Sequence, residues 1–318
     1  MPTPPPAAPP VIIDDLGHPL LPGAATWELF ARAEGSVIRI ELSTGRVTQT
    51  SVPELDAARP VSFLVGPRQA IIRPRNQTAG VLVPDGRSVR TLPAALDGSG
   101  PALPAANPEH LWIAHDTATS SSMTLFDFDG LPVGGSVAIP SHGSVSSDGA
   151  GYVLVKDTGG VYEARPDGLQ RVTTGVVDAS GPRKYLVVEC DVKHDCATVV
   201  IQRGSGRRRT LPLTLDPSST VGTISPDGAV AARITPGRHA DPTLHLLNLN
   251  SGRDTPVPLL LDPALSQEGG IVWSPDSRWL FVVAQGRIVV IERRTGQITT
   301  LGTSLPTVHQ IALRVGRP

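Results

Sequence analysis

The sequence is poor in charged residues, lysine, cysteine and long apolar runs, and these shortages exclude several classes of protein. Charged residues make up 18% of the 318 positions and the net charge is −1, whereas soluble domains carry about 25% charged residues. A general binder of nucleic acid or anionic membranes is therefore excluded, because such proteins need an excess of cations. Apolar runs stay well short of the roughly 20 residues of a membrane span, so we expect no direct membrane insertion.

The composition indicates the type of gene, and the first residues indicate a spacer. Only three of the 28 cations are lysines, and the abundance of Ala, Gly and Pro indicates a GC-rich bacterial gene of the actinobacterial type. Residues 1–10, MPTPPPAAPP, lack the basic and apolar segments of a signal peptide and favour extended polyproline geometry. We expect residues 1–22 to form a Pro-rich spacer and lead-in, with a removed signal sequence or membrane anchor upstream of it.

A repeat runs through the rest of the chain. The 32 Gly and 32 Pro disfavour long helices, and seven strand-like runs each end at a turn glycine. Successive glycines are 38–46 residues apart, and they are Gly45, Gly86, Gly130, Gly168, Gly206, Gly252 and Gly296. One strand follows each glycine and two precede the run, split by turns such as Ser225-Pro226-Asp227-Gly228, in which Pro fixes φ and Gly accepts a positive φ.

Seven units of four antiparallel strands, each about 42 residues long, are typical of a β-propeller. The segment IVWSPDSRWLFVV and the SPDG turn resemble the bacterial WD40-like repeat of the TolB type. The resemblance covers nearly the whole chain from about residue 23. It implies an all-β fold, a seven-bladed propeller of four-stranded antiparallel blades over residues 23–318. The Gly-His and Trp-Asp pattern of true WD40 repeats is absent, so the partner classes of those proteins are not implied.

The C-terminal segment is predicted to complete the first blade. That blade supplies only three strands of its own, TWELFAR, VIRIEL and VTQTSV. Residues 309–316 resemble residues 61–66, the inner strand of the second unit. We therefore expect the C-terminal strand to close the ring, which would remove an open seam of unpaired backbone.

Candidate binding residues are predicted on one face of the propeller. Blade-to-blade connections and the loops between second and third strands share a face, called the top face, and vary more than the opposite turns. The predicted top-face residues are polar: His115, Asp116, His142, His194, His239, Glu268 and His309. Two interpretations are open. The residues form a polar ring that binds a ligand or partner, or they are histidines that occur by chance in long polar loops. Neither a tight metal-ligand motif nor a catalytic constellation occurs, so we predict no metal, no cofactor and no catalytic residue.

The two cysteines, Cys190 and Cys196, lie at the end of a predicted hairpin. A disulfide is favoured, because a zinc half-site with His194 and Asp191 or Asp195 would have too few ligands. A second cluster, Arg203 with residues 207–209, forms a basic spot near a turn of the fifth blade. It could hold an anionic group, but a solvated outer strand is the favoured interpretation.

Three functions are compatible with these features. The first is a non-catalytic, extracytoplasmic scaffold, secreted or anchored to the outer face of the cell membrane. As a monomer, it would bind a protein, peptide or cell-envelope ligand on the top face. The second is a metal-assisted lyase or hydrolase at the channel mouth, in which His142, Glu268 and His309 would be suspected. The third is the sensor domain of a membrane signalling protein.

Overall fold

The fold is all-β. The structure is a computed structural model that describes residues 20–21, 23, 26–52, 61–74, 80–84, 89–96, 100–117, 120–147, 151–216, 222–235, 242–261, 269–301 and 304–315. Within this part of the chain the helical content is one 3-10 turn at Ala94–Leu96. None of the described helical segments is long and apolar enough to cross a membrane.

The strands alternate with short turns along the whole described chain. In chain order they are β1 (Trp27–Ala33), β2 (Ser36–Glu41), β3 (Arg46–Ser51), β4 (Val61–Val65), β5 (Gln69–Pro74), β6 (Val81–Pro84), β7 (Arg90–Thr91), β8 (Ala102–Pro104), β9 (His110–Asp116), β10 (Ser121–Asp127), β11 (Pro132–Ile139), β12 (Ser144–Ser147), β13 (Val153–Asp157), β14 (Gly160–Arg165), β15 (Gly168–Thr173), β16 (Val176–Ser180), β17 (Lys184–Cys190), β18 (Cys196–Gln202), β19 (Arg208–Thr210), β20 (Gly222–Ile224), β21 (Val230–Thr235), β22 (Thr243–Asn248), β23 (Asp254–Pro256), β24 (Ile271–Trp273), β25 (Trp279–Ala284), β26 (Arg287–Glu292), β27 (Ile298–Leu301) and β28 (Val308–Val315).

These strands form four-stranded antiparallel units. Five sheets have four strands each, and an eight-stranded sheet consists of two more such units, β16–β19 and β20–β23. The two units of that sheet are joined by short parallel pairing of β16 with β20. In the first unit the order is β28-β1-β2-β3, so the last strand pairs with the first. We call β28, β4, β8, β12, β16, β20 and β24 the inner strands, and the strands that pair with them within a unit the second strands.

The turn glycines of the repeat have the backbone conformation that the sequence predicts. Six of the seven lie among the described residues, and their φ values run from 67° to 134°. Positive φ is strained for residues with a Cβ, so glycine is favoured between the third and fourth strands of each unit. Gly86 lies outside the described residues.

The core consists of apolar layers between neighbouring units. Between the first and second units, for example, Phe30 and Val37 pack with Phe63 and Ile72. Every residue of β1 and of β25 is buried, because a second strand has a neighbouring unit on each face. The continuous apolar second strands of the sequence are explained by this two-sided burial.

Candidate functional site

One edge of each unit brings together the start of the inner strand and the end of the second strand. In the first unit Ala33, at the end of β1, pairs with Val308, at the start of β28. In the fourth unit Lys156 pairs with Ser144 in the same way. We call this the top edge, and it carries the predicted top-face loops.

The described members of the predicted site all lie at top edges. His115 and Asp116 end β9, and His309 is the second residue of β28. His194 lies in the turn between β17 and β18, and His142 in the connection between β11 and β12. His239 and Glu268 lie outside the described residues, and the binding role of all seven stays a prediction.

The described members of the predicted site form no metal-binding group. Across the described ranges, no three His, Cys, Asp or Glu side chains lie close enough together to hold a metal ion. His115 and Asp116 are near each other and near Arg73, whose charge acts on His115. Burial lowers the pKa of His115, the Arg73 guanidinium lowers it further, and the Asp116 carboxylate partly opposes both effects.

The hairpin of β17 and β18 carries one of the top-edge loops that the sequence singled out. Its ends are joined by the predicted disulfide between Cys190 and Cys196, which are directly opposed in the sheet. In the turn, Asp191 Oδ1 accepts hydrogen bonds from the backbone N–H groups of Lys193 and Asp195, at 2.8 and 2.9 Å. His194 has a φ of 66°. Val192 projects from this turn with 96% of its surface exposed.

Buried arginines near the top ends of second strands are a feature that the sequence analysis missed. Arg233 on β21 is 3% exposed and Asp178 on β16 is fully buried. Arg233 Nη2 donates to Asp178 Oδ1 over 2.9 Å, and Nε donates to Oδ2. The pair spans two units, and the bulge between Val177 and Ala179 accommodates the extra residue Asp178 in β16.

Arg32 and Arg73 are equally buried, at 3% exposed each. Arg73 Nη2 donates to the carbonyl oxygen of Gly100 in the third unit. Arg32 Nε donates to Gln310 Oε1 on β28 over 2.7 Å, and Gln310 Nε2 donates to the carbonyl oxygen of Val61 over 3.2 Å. Burial lowers the pKa of Arg32 to about 10, which leaves it a cation at neutral pH.

The interpretation of Arg203 as part of a solvated basic spot is wrong. Its guanidinium is buried between two aromatic rings, 3.5 Å from the centroid of Tyr152 and 4.1 Å from that of Tyr185. It also forms an ion pair with Glu163 of the fourth unit. The carboxylate and the two aromatic rings stabilise the guanidinium in this buried position. Arg208 and Arg209, by contrast, lie on the exposed outer strand β19.

A sequence signal for the buried arginines exists. Arg32, Arg73 and Arg233 each follow an apolar run within a second strand, as in LFAR, AIIR and VAAR. A cation at the end of a strand whose neighbours are all apolar is expected either to reach solvent or to find a buried partner. The sequence does not identify that partner, because it lies on another strand, often of another unit.

Comparisons with known proteins support the fold but assign the chain to no family. No family model and no curated protein matches the chain. A functionally unknown protein from Desulfotomaculum acetoxidans is 12% identical, with a TM-score of 0.56 over 92% of this chain and 100% of that chain. An oligogalacturonate lyase, solved in complex with manganese, is 14% identical, with a TM-score of 0.51 over 85% of this chain and 83% of that chain. These similarities support a β-propeller fold for the chain.

The TolB-type repeat is not confirmed. TolB from Acinetobacter baumannii is 12% identical, covers 96% of this chain and 68% of its own, and has a TM-score of 0.48. That similarity is too weak to carry an argument. The resemblance of the SPDG segments to the TolB repeat therefore stays a resemblance of sequence.

Proposed function

We propose that the protein is a non-catalytic, extracytoplasmic β-propeller that binds a protein, peptide or cell-envelope ligand on its top face. The observation that carries the proposal is the disulfide-closed hairpin of β17 and β18, which holds the exposed Val192 on a hydrogen-bonded turn. An apolar side chain on a rigid support binds at a low entropy cost. A disulfide is compatible with an oxidising compartment outside the cytoplasm.

The proposal includes a closed ring of seven blades. Contacts between inner strands support it: β28 contacts β4, β4 contacts β8, β8 contacts β12, β16 contacts β20, β20 contacts β24, and β24 contacts β28. The fourth and fifth units meet through β14 and β16. This series of contacts leads from the first unit back to itself, and in such a ring all top edges share one face.

Site-directed photo-crosslinking tests the binding role. Val192 is replaced by p-benzoylphenylalanine, and the protein is irradiated with an envelope fraction of cells that express it. The matched control carries the same residue at Leu131, which is 64% exposed in the turn between β10 and β11, at the opposite edge. We expect an adduct from position 192 that is lost when both cysteines are replaced by serine. Equal adducts from both positions, or none from position 192, would contradict the proposal.

A metal-assisted lyase or hydrolase is the alternative. The manganese-bound oligogalacturonate lyase shares the fold at 14% identity, and at that level the likeness extends to the fold alone. Titration calorimetry of dialysed protein with Mn²⁺, Zn²⁺ and Ca²⁺ separates the two. Tight uptake that is lost in His142→Ala with His309→Ala would favour the enzyme, and no uptake would favour the binding protein.

A further inference from the structure

The guanidinium of Arg32 is a buried cation that forms no ion pair with any of the described carboxylates. Its Nη1 is buried and has no hydrogen-bond partner among the described residues. Glu34, the carboxylate nearest to it along the chain, lies exposed in the turn after β1 and forms no ion pair with it in the described part of the structure. Within the described ranges, the side chain of Arg32 donates its hydrogen bond to the neutral amide of Gln310.

Described apolar side chains share a face of the first unit with Arg32. Side chains alternate along a strand, so Arg32 lies on the same face of β1 as Phe30, which packs against the second unit. Ala312, two residues after Gln310 on β28, packs in the same layer. The guanidinium therefore caps the top end of the apolar layer between the first two units, where a charge is poorly solvated.

Other buried arginines show how the same protein neutralises such a charge. Arg233 binds Asp178, Arg203 binds Glu163, and Arg314 binds Glu28. Each of these carboxylates belongs to the chain itself. A buried charge that lacks a counter-charge lowers stability by several kcal/mol. The presence of a buried cation at position 32 therefore needs an explanation.

We propose that Arg32 binds an oxyanion, the carboxylate or phosphate group of a ligand, which accepts hydrogen bonds from Nη1. Gln310 positions the guanidinium by accepting from Nε, which leaves Nη1 to donate to the ligand. A planar guanidinium is well suited to a carboxylate or phosphate. Since Arg32 and Gln310 lie at the top edge of the first unit, this inference deepens the proposed function and rests on it: the ligand of the top face carries an anionic group.

Thermal unfolding in matched salts tests the site. The probes are sodium phosphate and sodium acetate at neutral pH, each compared with sodium chloride at equal ionic strength. We expect one of them to raise the unfolding midpoint of the wild type, because a ligand that binds only the folded state stabilises it. The salt that raises the midpoint shows whether the site binds a phosphate or a carboxylate group.

Three variants test whether the effect belongs to Arg32. Arg32→Gln should lose it and bind the same anion at least about tenfold more weakly by calorimetry, a difference of about 1.4 kcal/mol. Arg171→Gln, the same charge change at an exposed position of β15, should behave as the wild type and corrects for general salt effects. Arg32→Met should unfold in chloride at the same or a higher temperature than the wild type, because it removes an uncompensated charge.

The inference is overturned if the wild type unfolds at the same temperature in all three salts, a comparison that needs no variant. It is also overturned if the anion effect persists in Arg32→Gln, or if Arg32→Met is strongly destabilised in chloride, which would indicate a purely structural role. The crosslinking experiment at Val192 is independent of these results. An adduct there without an anion effect would reject the oxyanion site and leave the proposed function standing.

Discussion

Arg314 on the last strand donates a hydrogen bond from Nε to Oε2 of Glu28 on the first strand, over 2.6 Å. The two residues are also directly opposed in the antiparallel pairing of β28 with β1. Arg39 on β2 donates from Nε to Oε1 of the same carboxylate over 2.8 Å. Glu28 therefore links three strands of the first unit, one of which comes from the far end of the chain.

Deletion of residues 306–318 should lower stability far more than deletion of residues 1–10. The first deletion removes β28, its backbone pairing with β1, and the side chain of Arg314. Chemical denaturation of the two truncated proteins and the full chain measures the difference.

Residues 1–10 serve as the control because no described strand pairing includes them. Similar denaturation midpoints for the two truncations would argue against closure of the ring by the C-terminal strand.

Acid should destabilise the protein partly through Glu28. Burial raises the pKa of Glu28, but hydrogen bonds from Arg314 and Arg39 outweigh it and hold the pKa below the ordinary value of 4.5. A depressed folded-state pKa gives stability that is present above pH 4.5 and is lost as the pH falls through the folded value. Glu28→Gln should cost about 1–3 kcal/mol at neutral pH and should flatten the fall in stability below pH 4.5.

Urea denaturation from pH 3 to pH 7 measures this dependence. Glu34→Gln, an exposed glutamate of the adjacent turn, is the matched control and should reproduce the wild-type profile. A Glu28→Gln profile parallel to that of the wild type would reject the assignment.

The strand pattern could be predicted from the sequence because its signals are local. The preference for glycine in a turn depends only on the φ of that one residue. Gly45 and Gly296 have positive φ values, 75° and 72°, which favour glycine. The pairing of β28 with β1 could be predicted because one unit lacked a strand and the tail resembled one. The disulfide followed from two cysteines at a hairpin end, and it is present.

The buried ion pairs could not be predicted in the same way. Arg203 meets Glu163 from 40 positions away in the chain, and Arg233 meets Asp178 from 55 positions away. Such contacts depend on how one unit faces the next, which the repeat does not encode. The same reason explains why Arg32 escaped notice, since its environment is set by Gln310, 278 positions further along.

Asp178 and Arg233 should be strongly coupled in a double-mutant cycle. Asp178→Asn or Arg233→Met alone leaves one buried charge unpaired and should cost about 3–5 kcal/mol. The double variant should be more stable than the sum of the two losses predicts, by at least about 1 kcal/mol in denaturation experiments.

The pair of Glu189 and Arg208 provides the comparison, because 47% of the Arg208 side chain is exposed. Its cycle, with Glu189→Gln and Arg208→Met, should give a coupling below about 1 kcal/mol. Equal coupling in the two cycles would show that burial does not set the strength of these pairs.

A thiol reagent should label neither cysteine of the native protein without a reductant. Cys190 is exposed, so poor access would not explain a lack of reaction. After reduction both thiols should react. Replacement of both cysteines by serine should lower the free energy of unfolding by about 2 kcal/mol in the chain-entropy model. Stoichiometric labelling before reduction, followed by mass spectrometry, would show that no bridge forms.

The strand order of the first unit has a consequence for biosynthesis. β1 leaves the ribosome before the other described strands, but its inner partner consists of residues 308–315 and emerges after all of them. Until then one edge of β1 exposes unpaired backbone groups to other nascent chains and to chaperones. Among the described four-stranded units, the one whose synthesis begins first is thus the last to be completed.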